Sequence, residues 1–367
     1  MAGAVKAPDF YPNPPGDAAL PRLDALAANH ILRRMSASPR FPRLVAFTSS
    51  VVLGCVVVAA GAASAAQPAN GGRLRDRQDL PLWPGTAPGS GQVTAREGLA
   101  ERGTDRARPD RALTGVTHPS LTVHLPRRPN GAALIVAPGG GYVREHVDRE
   151  GAEIAAALVP KGVTVFVLKY RLPAEGHQQG RDVPLQDGQR AVRLVRGNAA
   201  RWGLDPARIG IMGFSTGGHL AATLGARFMF KVYDPVDALE NVSPRPDFVV
   251  LVYPVISMEE GVAHAGARTA LLGPRPDKAV VAAYSPDLHV GRQTPPTFLI
   301  AADDDAEVPP ENAVRYYQAL KAAGIPAELH VFARGGHGFG IRKAPGLPIG
   351  AWPSLAWDWL RGAGFVR

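Results

Sequence analysis

The stretch "IMGFSTGGHL", residues 211–220, decides how this chain is interpreted. It contains Gly213-x-Ser215-x-Gly217, a spacing that holds a nucleophilic serine on a sharp turn between a strand and a helix. A chain this rich in glycine matches the pattern by chance often enough that the three residues alone are weak evidence. The flanks strengthen it, because "RIGIMG" is an apolar run typical of a strand and "GGHLAATLGARF" has helical character. Ser215 is therefore predicted at a strand-to-helix turn, where small residues let the helix pass close to the strand.

Strands and helices alternate from residue 120 onward. Apolar runs rich in β-branched residues predict seven strands: Leu121–Leu125, Ala133–Ala137, Val163–Leu168, Ile209–Met212, Phe248–Tyr253, Thr297–Ala301 and Ala327–Phe332. The segments of helical character are Glu150–Leu158, Leu185–Trp202, Gly218–Phe228, Glu311–Ala323 and Leu355–Leu360. Several of the strand runs are almost continuously apolar, as expected for strands covered on both faces. The sequence thus predicts an α/β domain with a central, mainly parallel β-sheet flanked by helices.

A nucleophilic serine needs a base and an acid, which follow it in the chain order serine, acid, histidine in this kind of site. In "FLIAADDDAEVPPENA" a strand ends in three aspartates, and we favour Asp305 because Asp303 and Asp304 lie closer to the strand end, where they are expected to shape the turn or cap it. His337 lies in the glycine-rich loop "ARGGHGFG", where an imidazole can reach Ser215. His330 alternates along a strand, so we interpret it as structural.

Backbone N–H groups are expected to bind the oxyanion of the tetrahedral intermediate. The sequence "IVAPGGGY" supplies a glycine-rich loop directly after a strand. The predicted donors are the N–H groups of Gly140 and Gly141 in this loop and that of Thr216, the residue after the nucleophile. The alternative interpretations of the loop are a tight turn or a phosphate cradle, but the Gly-Lys-Ser/Thr of a P-loop is missing.

Four further residues near these motifs invite an interpretation. Tyr142, directly after the glycine loop, is predicted to line the acyl pocket and bind substrate, with simple packing as the alternative. His219 is interpreted as a packing or hydrogen-bonding residue rather than a second base. Arg171 and Asp187 are expected to pair in the scaffold behind the site.

The first 66 residues are predicted to be a leader segment. The apolar run "LVAFTSSVVLGCVVVAAGAASAA" follows several arginines and ends in small residues, which is typical of a secretory signal with cleavage near Ala65 or Ala66. The alternatives are a membrane anchor or a lipoprotein signal at Cys55, and Met35 is a second candidate for the true start. We therefore expect an exported protein, periplasmic or secreted, that touches a membrane only through an uncleaved leader.

Composition excludes several function classes. The chain has 367 residues and a net charge of +9, but residues 73–111 interleave eight arginines with six acids, so no uniform basic stripe is available to nucleic acid. Cys55 is the single cysteine, which excludes an intrachain disulfide framework. No His-Glu-x-x-His run or other close ligand pair indicates zinc, and we expect neither a metal nor a cofactor.

The combined motifs resemble the acetylxylan esterase and xylan esterase family, a feruloyl-esterase-like branch of the α/β-hydrolases. The resemblance rests on "LPLWPGTAPG", "FVLKYRLP", "GFSTGGHLAA", "TPPTFLIAADDDAEVPPENA" and "ARGGHGFG", and it covers nearly everything after residue 80. It implies the α/β-hydrolase fold, with Ser215 as nucleophile, Asp305 as acid and His337 as base. Thr216 stands where this family often has alanine, which leaves the backbone N–H in place.

The resemblance and the spacing together divide the chain into three parts and suggest a function. We expect a leader at 1–66, an extended N-terminal arm at 67–115 and an α/β-hydrolase domain at 116–367, in which residues 257–294 form a small cap. The leading hypothesis is a serine carboxylesterase that hydrolyses short acyl esters, with acetylated xylan or another acetylated polysaccharide as the expected substrate. The alternatives are a peptidase or amidase of the same fold and a non-catalytic binding protein.

Overall fold

The computed structural model describes residues 78–367. The predicted leader at 1–66, including Cys55, lies outside the described residues, so export and cleavage stay predictions. Among residues 78–367, no helix is both long and apolar enough to cross a membrane.

An eight-stranded sheet forms the centre of the described chain. Its strands lie in the order β1-β4-β7-β5-β8-β9-β10-β11, and all neighbours from β7 to β11 are parallel, whereas β1 and β4 pair antiparallel at one end. The eight strands are β1 (Gln78–Pro81), β4 (Ser120–His124), β5 (Ala133–Ala137), β7 (Thr164–Lys169), β8 (Ile209–Phe214), β9 (Val249–Val252), β10 (Thr297–Ala302) and β11 (Ala327–Phe332). The seven predicted strands are all present in this sheet, with ends shifted by at most two residues, and the predicted mainly parallel α/β architecture is confirmed.

Within the described part of the chain, seven α-helices accompany the sheet. They are α1 (Glu153–Leu158), α2 (Val183–Gly197), α3 (Ser215–Arg227), α4 (Ala265–Leu272), α5 (Lys278–Ala283), α6 (Glu311–Ala322) and α7 (Trp352–Gly362). One π-helical turn, Asp148–Ala152, leads directly into α1. Trp202, predicted inside the second helix, instead ends a separate 3-10 turn that follows α2.

Two apolar cores cover the two faces of the sheet. Successive residues of a strand point to opposite faces, so Ile211 of β8 joins one core and Met212 joins the other. Helices α2, α3 and α6 pack on the first face, whereas α1 and α7 pack on the second. Burial on both faces explains why these strands are apolar at nearly every position.

From residue 78 onward, the N-terminal arm predicted at 67–115 forms strands that the sequence pattern did not predict. Strand β1 is an edge strand of the main sheet, and Leu82 and Trp83 are buried in its core. Two more of its segments, β2 (Gly98–Glu101) and β3 (Arg111–Thr114), form a small antiparallel sheet with β6 (Glu145–His146). The sequence pattern missed these strands because each is only two to four residues long and β2 is exposed along its whole length.

A buried ion pair ties this arm to the domain. Arg171 and Asp187 lie 2.8 Å apart with both side chains fully buried, so their predicted pairing is confirmed. The indole N–H of Trp83 donates a hydrogen bond to the same carboxylate at 2.8 Å. Because an uncompensated buried charge is costly, this cluster fixes the arm, strand β7 and helix α2 relative to one another.

The segment predicted as a cap, residues 257–294, contains α4, α5 and the 3-10 turn Pro286–His289. The carbonyl of Ala283 accepts a hydrogen bond from Arg227 on α3 at 2.7 Å. The segment therefore packs beside the helix that follows Ser215, rather than extending away from the domain.

Gly217 sets the close packing of α3 on the sheet. A Cβ atom added at this position would lie 2.1 Å from the carbonyl oxygen of Ala137, a backbone atom that cannot move aside. We expect Gly217→Ala to lower the free energy of unfolding by about 3 kcal/mol, since overpacking against rigid atoms is strongly destabilising. Urea unfolding followed by circular dichroism measures this change.

The matched control is Gly362→Ala on the exposed end of α7, where a Cβ meets no atom within 4 Å. It should leave stability unchanged or raise it slightly, because alanine favours a helix more than glycine does. Equal stabilities for the two variants would contradict the close approach at Gly217.

Candidate active site

Ser215 lies at the turn between β8 and α3. Strand β8 ends at Phe214 and α3 begins at Ser215, whose φ of 50° is in the left-handed region that non-glycine residues seldom adopt. A Cβ on Gly213 lies 2.1 Å from the carbonyl oxygen of Gly217, so only glycine allows the strand and the helix to approach this closely. The turn therefore has the tight geometry that the Gly-x-Ser-x-Gly spacing predicts.

His337 connects Ser215 to Asp305. Its Nε2 lies 2.9 Å from the Oγ of Ser215, and its Nδ1 lies 2.7 Å from Oδ2 of Asp305. A carboxylate only accepts hydrogen bonds, so the neutral ring carries its proton on Nδ1 and presents Nε2 as the acceptor for the serine hydroxyl. The structure thus brings together the three side chains that the sequence grouped, although His337 is 122 residues from Ser215 in the chain.

The three aspartates after β10 have different surroundings. Oδ1 of Asp305 accepts the backbone N–H groups of Glu307 and Val308, which holds this buried carboxylate in place for His337. Oδ1 of Asp304 accepts the N–H groups of Gly335 and Gly336 and so fixes the loop that carries His337. The sequence predicts that Asp304 shapes or caps the turn after β10, but its carboxylate instead bonds the loop that carries His337.

The glycine loop after β5 lies against the serine turn. Gly140 and Gly141 have φ angles of 144° and 72°, and both line the same cavity as Ser215 and His337. Thr216 is the second residue of α3, and the first N–H groups of a helix have no partner within it. The predicted donors therefore lie on the glycine loop and at the start of α3, next to Ser215.

Glu150, which no sequence motif marks, anchors this loop. Its Oε2 accepts the N–H of Gly139 at 2.7 Å, and its Oε1 accepts the hydroxyl of Tyr253 at 2.9 Å. The ring of Tyr253 packs edge-on against that of His337, with centroids 5.1 Å apart. Burial raises the pKa of the Glu150 carboxyl. No local sequence signal marks Glu150, because its partners lie at distant positions of the chain.

Tyr142 does not line the acyl pocket, which corrects our prediction. Its side chain is only 1% exposed and its hydroxyl lies 2.7 Å from Nδ1 of His219. The other ring nitrogen of His219 donates to the carbonyl of Tyr284 at 2.8 Å, so Nδ1 accepts the tyrosine proton. The positive φ of Tyr142 turns its ring under the glycine loop and into the core. His219 acts as the hydrogen-bonding residue that we expected.

His330 lies away from the three grouped side chains. It is half-buried on β11, the edge strand of the sheet, and its Nε2 lies 2.7 Å from the carboxylate of Glu328. Its structural interpretation stands. Among residues 78–367, no cluster of three or more histidine, cysteine or acidic side chains is arranged to hold a metal ion.

The cavity that Ser215 and His337 line has a volume of about 450 Å³, and we call it the Ser215 cavity. Val143 and Arg144 of the glycine loop, His264 and Gly266 of the cap segment, and Arg102 of the arm contribute to its walls. The cap segment thus contacts the site, as the sequence analysis expected of it.

A sequence profile of the family described as BD-FAE matches residues 121–320, more than half of the chain. The chain belongs to the BD-FAE family. The matched part of this BD-FAE member contains Ser215 and Asp305 and ends before His337.

A solved structure and two curated proteins are similar to this BD-FAE member. The acetyl ester-xyloside bifunctional hydrolase from Caldicellulosiruptor lactoaceticus is 36% identical, with a TM-score of 0.65 and coverage of 79% of this chain and 97% of that one. The acetylxylan esterase of Xylanibacter ruminicola is 36% identical over 225 residues, which are 60% of this chain and 44% of the relative. Endo-1,4-beta-xylanase B of Butyrivibrio fibrisolvens is 35% identical over 208 residues, 57% of this chain and 32% of the relative.

The chain thus spans less than half the length of these two curated relatives. The similarity confirms the family resemblance and the α/β-hydrolase fold that the motifs predicted.

His219 should make the stability of this BD-FAE member depend on pH. Burial lowers the pKa of its imidazole from 6.5 to about 4. The folded state then keeps the ring neutral at pH values where the unfolded chain binds a proton. Its contribution to the free energy of unfolding, as much as about 3 kcal/mol, is complete above pH 6.5 and is lost as the pH falls toward 4.

Glutamine can replace both hydrogen bonds of this ring without titrating, so His219→Gln is the matched variant. Unfolding in urea at pH 7, 6, 5 and 4 should show a smaller loss of stability for the variant than for the wild-type protein. Parallel pH profiles would contradict a buried, neutral His219.

Proposed function

We propose that this protein is a serine carboxylesterase that hydrolyses short acyl esters. The observation that carries the proposal is the continuous pair of contacts from Ser215 through His337 to Asp305, at 2.9 and 2.7 Å. Membership of a family with esterase relatives supports the same reaction class.

In the proposed reaction, Ser215 attacks the carbonyl carbon of the ester while Nε2 of His337 takes its proton. The Asp305 carboxylate holds the imidazole in the required tautomer and stabilises the imidazolium that forms. The N–H groups of Gly140, Gly141 and Thr216 bind the oxyanion.

His337 then donates the proton to the departing alcohol, which leaves an acyl group on Ser215. Water, deprotonated by the same imidazole, hydrolyses this acyl-enzyme and regenerates the serine. No metal or cofactor has a role in this scheme.

Acetyl groups on xylan, or on another acetylated polysaccharide, are the substrate that we propose. Two relatives carry the words acetylxylan esterase and acetyl ester-xyloside hydrolase in their names, which supports an acetyl ester of a sugar polymer. The volume of the Ser215 cavity, about 450 Å³, is at the small end for ligand sites and suits a short acyl group. Export to the periplasm or the medium, expected from the leader, agrees with a polymeric substrate outside the cytoplasm.

Acetate release from acetylated xylan tests the reaction class and the substrate together. The same protein is assayed on 4-nitrophenyl acetate, on a long-chain 4-nitrophenyl ester and on an aminoacyl anilide. We expect activity on the polymer and the short ester, and Ser215→Ala should lower it by about 10⁴-fold or more and abolish labelling by a fluorophosphonate.

Ser354→Ala, at an exposed position of α7, is the control and should keep both activity and labelling. Hydrolysis of the anilide alone would replace the esterase by a peptidase or amidase. A folded protein that neither hydrolyses these compounds nor reacts with the probe would indicate a non-catalytic binding protein.

Asparagine substitutions separate the roles of Asp305 and Asp303. Asp305→Asn keeps the size of the side chain but favours the wrong tautomer of His337, so kcat should fall by about 10⁴-fold. Asp303→Asn, at the exposed neighbour, is the matched control and should keep near wild-type kcat. Steady-state kinetics on 4-nitrophenyl acetate measure both, and a larger loss in Asp303→Asn would assign the acid to Asp303.

A further inference from the structure

Cationic side chains outnumber carboxylates in the walls of the Ser215 cavity. The cations are Arg102, Arg144, Arg149 and Lys343, and the carboxylates are Glu150 and Glu307. The histidines of the cavity are His146, His264 and His337.

Among the described residues, neither carboxylate forms an ion pair with Arg102, Arg144 or Lys343. Both oxygens of Glu150 already accept hydrogen bonds, from the N–H of Gly139 and the hydroxyl of Tyr253, and its side chain is buried. Glu307 is largely in solvent, with 65% of its side chain exposed and Nε2 of His264 4.0 Å away.

Three of the four cations have no acidic partner. Arg149 pairs with Asp110 at 2.8 Å. Within the part of the chain that the structure describes, Arg102, Arg144 and Lys343 form no ion pair. All three residues are exposed, so a ligand in the cavity can reach them.

His146 holds one of these cations over the cavity. Nη1 of Arg102 lies 2.6 Å from its Nδ1. Burial, together with the neighbouring arginines, lowers the pKa of His146 to about 3, so the ring is neutral and accepts the guanidinium proton. Arg102 is therefore positioned from the small sheet by a neutral partner that leaves its charge uncompensated.

A neighbouring cavity has a different charge pattern. Its two cationic residues are both neutralised, Arg111 by Asp148 at 2.7 Å and Lys169 by Glu97 at 3.0 Å. The uncompensated charge beside Ser215 is thus not a feature of every concave surface on this basic chain.

We propose that the Ser215 cavity selects esters that carry a carboxylate near the scissile bond, held by Arg102, Arg144 and Lys343. This inference rests on the proposed esterase activity and adds a substrate class to it. Arginine suits the role because its planar guanidinium binds a carboxylate through two parallel hydrogen bonds.

The carboxylate has two sources with the same chemistry. It belongs either to the alcohol part of the ester, as in an acetylated polysaccharide that carries uronic acid residues, or to the acyl part, as in a dicarboxylic acid half-ester. In both cases the cationic walls also raise the rate of encounter with an anionic substrate.

Matched pairs of substrates test the preference and separate the sources. For the alcohol part, 3-acetoxybenzoate is compared with 3-acetoxybenzamide, and acetylated xylo-oligosaccharides with uronic acid branches are compared with unbranched ones. For the acyl part, the 4-nitrophenyl half-ester of adipic acid is compared with 4-nitrophenyl hexanoate. Since exposed ion pairs are each worth roughly twofold to fivefold, we expect kcat/KM to favour the charged member of at least one pair by about tenfold.

Arg144→Gln and Lys343→Gln test which side chains cause the preference. Each should lower the ratio of kcat/KM for the charged over the neutral substrate by roughly twofold to fivefold, and the double variant by more. Lys321→Gln, at an exposed lysine of α6 outside the cavity, is the control and should leave the ratio unchanged. Raising the ionic strength from about 0.01 M to about 1 M should also reduce the ratio, because the screening length falls from ~30 to ~3 Å.

Equal kcat/KM values for both members of all pairs would overturn the inference while the esterase assignment stands. A preference that survives in the triple variant Arg102→Gln, Arg144→Gln and Lys343→Gln would also overturn it. If neither charged nor neutral esters are hydrolysed, the proposed function itself fails, which is a different result.

Discussion

The close approach of strand β8 and helix α3 is the constraint on which the site depends. Gly213 and Gly217 leave no room for a Cβ, because each faces a backbone carbonyl oxygen at 2.1 Å. This contact forces Ser215 into the left-handed region and brings it against the loop after β5. A Cβ placed on Gly139 in that loop would lie 2.5 Å from the carbonyl oxygen of Phe214, so the glycine loop packs directly against the backbone before Ser215.

The parallel sheet supplies the rest of the arrangement. Strands β5, β8, β10 and β11 all end at the same edge, and the loops that follow them carry the glycine loop, Ser215, Asp305 and His337. Ligand sites of open parallel sheets lie at this edge because every strand delivers its next loop there. Asp304, bonded to two amides before His337, fixes the distance between the last two loops.

Buried polar groups stabilise the loops around Ser215 by hydrogen bonds and ring contacts. Glu150 binds the glycine loop and Tyr253, and Tyr253 contacts His337, so one carboxylate connects the glycine loop with His337. The hydrogen bond between Tyr142, directly after the glycine loop, and His219 of α3 also holds this loop in place. These groups are preorganised before substrate arrives, which is the condition for electrostatic catalysis.

The sequence by itself determined the fold class, the seven main strands and the grouping of Ser215, Asp305 and His337. Strand periodicity, glycine positions and the order of residues along the chain can be read directly from the sequence. It could not give strands β1, β2 and β3, the buried place of Tyr142 or the role of Glu150. Only the tertiary structure decided these, because edge pairing, the direction of a ring and the partners of a buried carboxylate depend on residues far apart in the chain. The positive charge beside Ser215 also depends on the tertiary structure, because Arg102 and Lys343 are far apart in the sequence and line the same cavity only in the folded protein.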